Sequence, residues 1–408
     1  MARADRSRVL VASALLLVAW NLRAAIVALS PLLPEIRRSL DLSSPLAGLL
    51  TTLPLLCFGV FAFLAPAAGR RLGAERMLVA VLGAITGGVA LRLLPGDLAL
   101  YAGTTLAGAG IAVGNVTLPA AVRRDFPDRI ALMTGLAATG VVGGAAVAAG
   151  ASVPLQDALG IGWRPSLALW AIPAAVALAV LVPAARSATP RPPREPVRGG
   201  KARPGRLWLD PVAIVVTGFM GLQSLDFYAT VAWLPTIFQA KGLSAGQAGW
   251  LVSYATLVSI PTTFGGPLAA RRVGRAAVVV LAVLACAVAL GGLALDPAPL
   301  ALAWMTLLGL GQGAAFSLAL SFIAERAADA ESTAQLSMLA QGGGYLLASI
   351  GPVGLGLVHD LSGGWRLPPL VLLALLAPEL AAGLAACRPR QTGSAWRARL
   401  AGVQGAAP

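Results

Sequence analysis

Charge is scarce in this chain. Only 12% of its 408 residues are Asp, Glu, Lys or Arg, against 57% hydrophobic, too few polar groups to coat a soluble globule of this size. A mean hydropathy of +0.79 fits a chain immersed in lipid. Histidine is nearly missing: with His359 alone, an HExxH zinc site or a His-rich metal cluster is excluded, and His359 with Asp360 reads as an ordinary loop pair at a helix end. No GxxxxGK[ST] phosphate loop occurs, which removes ATP hydrolysis as a source of energy. A dinucleotide site at the glycines 108, 110 and 114 would require a preceding strand and an acidic residue about 20 positions on in a soluble unit, so close helix packing is their reading. Cys57, Cys286 and Cys387 share no short spacing and fall in or at the end of apolar runs, so free thiols and no disulfide are expected. No catalytic residue, metal ligand set or cofactor is expected, and the bulk of the chain leaves no soluble domain to present a basic face to nucleic acid.

Long apolar runs are what the chain has in their place. Cutting at charged and Pro/Gly clusters gives twelve segments, roughly 9–30, 46–68, 77–94, 99–121, 130–152, 164–185, 209–238, 246–268, 276–294, 299–323, 332–358 and 366–387. Each is long enough, or nearly so, to cross a hydrocarbon core of about 30 Å as a helix, and the first is expected to act as its own uncleaved targeting signal. The expected class is an all-α membrane protein with twelve transmembrane helices. Most of the 31 basic residues fall on the side of Met1, whereas the opposite loops hold Arg37, Arg38, Arg92, Arg164, Lys241 and Arg366. Both termini are therefore expected in the cytoplasm, and the net charge of +14 reports topology and contact with an anionic lipid bilayer.

The sequence repeats itself. An offset of 201 carries Pro34 to Pro235, Ile36 to Ile237, Leu42-Ser43 to Leu243-Ser244 and Ala47-Gly48 to Ala248-Gly249. It also carries Arg70-Arg71 to Arg271-Arg272, Gly73 to Gly274, Gly108 to Gly309 and Gly110 to Gly311. At 202, Gly162-Trp163-Arg164 falls on Gly364-Trp365-Arg366. Two copies of a six-helix bundle follow, and an even number of spans per copy makes them parallel repeats related about the membrane normal. The expected domains are residues 1–185, a basic Pro-rich cytoplasmic linker 186–208, and 209–408 with a short cytoplasmic tail.

Polar residues inside the spans are the candidate site. Arg23 lies about fifteen residues into the first run, roughly 20 Å deep at ~1.5 Å per residue, where a guanidinium costs about 2.5–3.5 kcal/mol and needs a partner, cavity or solute. A snorkelling or structurally paired arginine is the alternative. Asn21, Asn115, Thr117, Gln223, Ser224, Tyr228 and Gln312 also fall on spans 1, 4, 7 and 10, and Gln341 and Tyr345 on span 11. Asp226 lies at the depth of Arg23 in the other half. Its ionisation would respond to burial and to a nearby guanidinium, as in a proton-coupled gate, and a fixed Arg23/Asp226 pair is the equal alternative. Glu379, after Pro378 in span 12, reads as structural.

Several stretches together resemble the cyanate and 2-nitroimidazole permease branch of the major facilitator superfamily. They are Asn21-Leu-Arg23 with Pro31-Leu-Leu-Pro34, Ala47 through Pro54, Gly114-Asn115-Val-Thr-Leu-Pro119 with Arg123 through Pro127, and Gly221-Leu-Gln-Ser224 with Phe227-Tyr228 and Trp233-Leu-Pro235. Gly309 through Phe316 and Gln341 through Tyr345 with Gly351-Pro352 complete the set. The resemblance implies the major facilitator fold in a bacterial inner membrane and alternating access for a small anion or small planar polar solute. In that fold spans 1, 4, 7 and 10 line the cavity. Arg23 would bind the electron-rich end of the solute, Asn21, Asn115, Gln223, Tyr228, Gln312, Gln341 and Tyr345 would direct it, and Trp233 and Phe316 would wall it. Arg70 stands where the superfamily usually has an Asp in the loop after span 2, so Arg70, Arg71, Arg271 and Arg272 are candidate gating residues of altered charge. Asp226 stands where similar sequences are commonly apolar, so a proton role for it would be peculiar to this chain. The partners are a small-molecule solute and lipid, with no nucleic acid and a monomeric chain. A drug or metabolite efflux permease of the same fold is the first alternative, against which the 6% aromatic content argues. A non-transporting membrane receptor or enzyme is the second.

Overall fold

The computed structural model describes residues 2–187, 208–295, 300–327, 330–389 and 391–392; the expected linker 186–208 lies almost wholly outside them. The first group of helices is α1 (Ala2–Val27), α2 (Leu29–Leu40), α3 (Ser44–Leu72), α4 (Ala74–Leu91), α5 (Asp97–Asp125), α6 (Ile130–Leu159), α7 (Trp163–Leu169) and α8 (Ala171–Ser187). The second is α9 (Pro211–Ala240), α10 (Ala245–Val273), α11 (Arg275–Leu295), α12 (Ala301–Arg326), α13 (Ala330–Ala348), α14 (Ile350–Ser362) and α15 (Leu367–Ala386). Among the described residues eleven of the resulting spans are long and apolar enough to cross a membrane, several of them joining two helices end to end. The segment expected over 246–268 forms α10, whose Ser, Thr and Gly content keeps it less apolar although it spans 29 residues.

Within the second group α9 packs on α12, α13, α14 and α15, and within the first α1 packs on α5, α6 and α8. The two groups meet where α3 lies against α13 and α14 and where α6 lies against α10. Loops 41–43, 92–96, 160–162, 241–244 and 363–366 share one face of the bundle, here the loop face; the described chain ends share the other, the terminal face.

Local chemistry explains the breaks and repeats the pattern twice. Pro31 and Pro34 carry no N–H, so carbonyls at Val27 and Ser30 lose their helical donors and the first span divides into α1 and α2 at Ala28. Ser43 caps α3 by accepting from the Leu46 N–H, and its repeat mate Ser244 caps α10 from the Gln247 N–H while the Gln247 side chain bonds back to Ser244. Gly73 and Gly274, also mates, make the tight joints α3/α4 and α10/α11 at φ of 78° and 94°, a conformation that costs other residues strain.

Packing carries the repeat further. A Cβ on Gly108 would lie 2.8 Å from the Pro54 Cα, and one on Gly309 would strike the Ala255 backbone; Pro54 and Ala255 are themselves 201 apart. Gly110 faces the Val81 carbonyl at 2.9 Å and Gly311 the Ala282 carbonyl at 2.6 Å, by the same measure. Between the halves, Gly48 of α3 presses on Pro352 of α14, and its mate Gly249 of α10 presses on Ala149 of α6. Equivalent contacts exchanged in this way are what a two-fold rotation produces, and parallel repeats place its axis along the membrane normal.

Candidate functional site

Arg23 sits near the middle of the span Val11–Leu40. Its side chain is partly exposed, and its guanidinium carbon lies 5.1 Å from the centroid of the Phe227 ring and 5.4 Å from that of Tyr228. Both rings belong to α9, so this cation–π contact joins the two halves. Among the described residues no carboxylate lies within ion-pair distance of Arg23. Tyr228 meets Phe227 edge to face at 5.1 Å, Phe58 of α3 at 6.3 Å and Tyr345 of α13 at 6.2 Å, while Phe58 and Tyr345 meet at 5.3 Å. A guanidinium thus stands at the edge of an aromatic cluster drawn from both halves. The Tyr228 hydroxyl is buried there without a hydrogen-bond partner.

The other candidates separate into groups. Asn21 is buried and donates to the Leu17 carbonyl at 2.8 Å, so its amide nitrogen is held by its own helix. Gln223 is likewise turned inward, donating to the Met220 carbonyl at 2.9 Å and the Ser224 hydroxyl at 2.6 Å. Gln341 donates to the Ser337 hydroxyl at 2.8 Å. Asn115 is exposed on α5, and Phe316 is partly buried against the core of α12. Trp233 is fully buried, its indole N–H bonded to the Pro352 carbonyl at 2.7 Å and its ring 4.9 Å from that of Trp365. Arg71, Arg271 and Arg272 are exposed at the terminal face, and Arg70 lies in the last turn of α3 beside Arg71.

Asp226 is 4% exposed and faces its own half. The Gln312 amide donates to its Oδ2 at 2.8 Å and to the Thr230 hydroxyl oxygen at 3.0 Å, while its Oδ1 has no partner. The fixed Arg23/Asp226 pair held open by the sequence is absent: α9 presents Phe227 and Tyr228 to Arg23 and turns Asp226 toward α12. Beside Gln312 and Thr230 a cavity of about 20 Å³ is lined by Phe227, Thr256 and Ser259 among others, room for about one water. A larger recess of about 210 Å³ lies at the loop face between the halves, with Glu35, Arg38, Gln156, Asp157 and Gln239 on its walls.

Three features escaped the sequence. Phe58 is an apolar residue in an apolar helix, so a search for polar residues passes over it. Arg92, expected in a loop, is 1% exposed and donates to the Ala25 carbonyl at 2.8 Å, next to the break between α1 and α2; burial pulls its pKa down to about 10, so it stays charged at neutral pH. At the loop face the Ser44 N–H and hydroxyl donate to the two Asp360 carboxylate oxygens at 3.0 and 2.5 Å, and His359 Nδ1 lies 2.9 Å from Asp360 and 3.1 Å from the Ser44 hydroxyl. The pair expected to be ordinary loop residues ties one half to the other. Farther in, the Thr52 hydroxyl donates to the Ser349 carbonyl at 2.8 Å.

The sequence profile of the Major Facilitator Superfamily matches residues 10–352 and 216–400. The chain is 38% identical over 390 residues to the 2-nitroimidazole transporter of Escherichia coli (strain K12), covering 95% of this chain and 97% of that one. It is 28% identical over 369 residues to the cyanate transport protein of the same organism, covering 89% and 94%. Among solved structures, a bacterial homolog of the human lysosomal transporter Spinster, inward-facing and unoccupied, superposes with a TM-score of 0.74 at 15% identity, over 94% of this chain and 97% of that one, a likeness of fold alone.

Proposed function

The chain belongs to the Major Facilitator Superfamily, and from that premise we propose that it carries a small anion or small planar polar solute through the Arg23 site by alternating access. The observation that carries this reading is the guanidinium itself. It stands mid-span without a carboxylate, at a depth where an uncompensated charge costs about several kcal/mol, and a bound anion or electron-rich ring edge would relieve that cost. The rings of Phe58, Phe227, Tyr228 and Tyr345 offer faces and edges to a flat solute, and the unpartnered Tyr228 hydroxyl, which costs about 1–3 kcal/mol while unsatisfied, offers one hydrogen bond. The solutes for which the two relatives are named, 2-nitroimidazole and cyanate, suit such a site.

Alternating access is supported by the seal at one end. Ser44 to Asp360 and Thr52 to Ser349 hold the loop-face portion of the halves together, which in this reading leaves the terminal face as the side from which a path to Arg23 would open. The distribution of basic residues supports a bacterial inner membrane with both termini in the cytoplasm, and hence a cytoplasm-facing state. In this reading residues 1–185 and 209–408 move as two bodies joined by 186–208, and one chain forms the whole path.

Flux into proteoliposomes tests the reading, with cyanate and 2-nitroimidazole as separate probes. Saturable flux of either, inhibited by the other or by a related small anion, is the expected result. Flux of neither above empty vesicles, from protein of native melting behaviour, would overturn the assignment of solute class.

A further inference from the structure

Arg92 stands at a place where the fold accepts a leucine. The offset of 201 carries it to Leu293, buried at the matching end of α11, and carries its acceptor Ala25 to Asp226 within α9. Its neighbour on α5 differs as well. A Cβ on Gly103 would lie 3.1 Å from the Arg92 Cγ, whereas the mate of Gly103 is Trp304, whose ring lies over Gly292. The second half thus fills this corner with a leucine and an indole, while the first leaves a glycine there and buries a guanidinium. That choice is costly. Among the described residues the Arg92 side chain makes one bond, to the Ala25 carbonyl at 2.8 Å, and its Nε and Nη2 groups are buried without a partner. An apolar corner would carry no such penalty.

What the first half has and the second lacks is the break at Ala28. The mate of Pro31 is Ala232, and α9 runs unbroken from Pro211 to Ala240. The last four carbonyls of a helix have no N–H of that helix to meet, and in α1 they belong to Ala24, Ala25, Ile26 and Val27. The Ala28 N–H donates to the first, Arg92 donates to the second, and Pro31 has nothing to offer the last. Arg92 therefore caps α1 from the end of α4, its cation at the negative end of the helix dipole. Arg23 lies two residues before Ala25. On its other side Gly114 of α5 presses on Leu22, and Gly144 of α6 on the Trp20 backbone, so Arg23 sits between two fixed points of α1. Resting on the transporter reading above, we propose that Arg92 is a positioning residue for the Arg23 site. It clamps the end of α1, and so holds Arg23 against Phe227 and Tyr228, while α2, which reaches α9 and α10 of the other half, changes its angle as the loop face opens.

Two measurements on the full chain in lipid vesicles test this. Hydrogen exchange, read without any solute, is expected to be about tenfold faster over residues 24–33 in Arg92→Leu than in wild type, as loss of a bond from a charged donor allows. The mate segment 225–234 of α9 should be unchanged. Exchange at the break equal to wild type in the folded variant would overturn the clamp. Flux of cyanate or 2-nitroimidazole then asks whether the clamp acts through Arg23. Arg92→Leu should lower it about tenfold, as expected of a weakened cation–π site. Arg92→Lys, which keeps the charge and a donor, should regain most of the flux. Arg92→Leu joined to Arg23→Lys should be no slower than Arg23→Lys alone, because both changes act on one group. Losses that multiply in the double variant would overturn the positioning role. If the leucine variant does not fold, Arg92→Gln, polar and too short to reach Ala25, takes its place in both measurements. The two readings fail separately: wild-type protein that carries neither solute removes the transporter assignment and leaves the exchange result to judge the clamp, whereas flux with unchanged exchange removes the clamp alone.

Discussion

At the scale of the residue, the decisive object is a charge whose environment is aromatic rather than acidic. Lysine at position 23 would keep the charge and lose the flat guanidinium that faces Phe227 and Tyr228, along with the forked donors suited to a planar anion. Cation–π contacts contribute about 0.5–2 kcal/mol, so Arg23→Lys is expected to lower cyanate or 2-nitroimidazole flux about tenfold while the melting temperature stays near that of wild type; flux at the wild-type rate would remove Arg23 from the solute path. Arg23 was legible because a charge deep in an apolar run stands out by composition alone. Phe58 was not, since nothing in sequence separates an aromatic that joins the ring cluster beside Arg23 from one that packs elsewhere in the core. Arg92 was misplaced because it follows directly on an apolar run, where a loop is the ordinary reading, and its burial depends on a carbonyl, Ala25 O, that comes near only when the chain folds.

Among the elements, the repeat that the sequence displayed as identities reappears as contacts. Gly108 against Pro54 and Gly309 against Ala255 let α5 approach α3, and α12 approach α10, backbone to backbone, the small-residue packing that lipid-immersed helices use where water no longer drives association. A methyl at either position meets backbone, which does not yield. Gly108→Ala and Gly309→Ala are each expected to destabilise by about 1–3 kcal/mol and by similar amounts, because the contacts are repeat mates. Gly218 on α9 has open space where a Cβ would go, so Gly218→Ala should be neutral or stabilise by up to about 1 kcal/mol. Thermal melting of the three variants in one detergent checks the ranking, and a Gly218 variant as damaged as the other two would contradict the packing described. The caps at Ser43 and Ser244 were visible as repeated letters, and the division of span 1 at Ala28 had its cause in plain view at Pro31 and Pro34. The break between α13 and α14 at Ser349 had the same kind of signal, since Pro352 has no N–H for the Ala348 carbonyl, as Pro31 has none for that of Val27. The low apolarity of α10, by contrast, hides a span: its Ser and Thr hydroxyls bond to carbonyls one turn back, which satisfies them inside a helix but does not change their composition.

At the scale of the whole molecule, the two groups of helices are tied at the loop face by a few bonds, and farther along α3 packs on α13 where Gly59 meets Leu346 and Phe63 meets Gly342. Asp360 of the second half accepts from the first N–H of α3 in the first half and from the hydroxyl on the same residue, so the carboxylate of one body caps the helix of the other. The positive end of the helix dipole favours an anion there, and each bond to an ionised acceptor contributes about 1.5–3 kcal/mol. Opening the loop face breaks both bonds and leaves the start of α3 to water. Asp360→Asn keeps the shape, but its amide has one oxygen where the carboxylate had two, so one of the Ser44 bonds is lost and the other weakened. The state closed at the loop face should lose about 1.5–3 kcal/mol relative to the state open there, a shift of roughly ten- to a hundredfold in their ratio. Spin labels at Ser39 on the first half and Leu361 on the second, both near the loop face, would report it as growth of a longer-distance population. Ser44→Ala removes the hydroxyl bond and retains the backbone N–H, so its shift should be smaller and in the same direction. The ordering matters more than either size: a variant at Asp360 that leaves the distance distribution unchanged would mean that the buried contacts of Gly48 with Pro352 and of Gly249 with Ala149 hold the halves closed by themselves, and that Asp360 caps α3 without controlling access to Arg23.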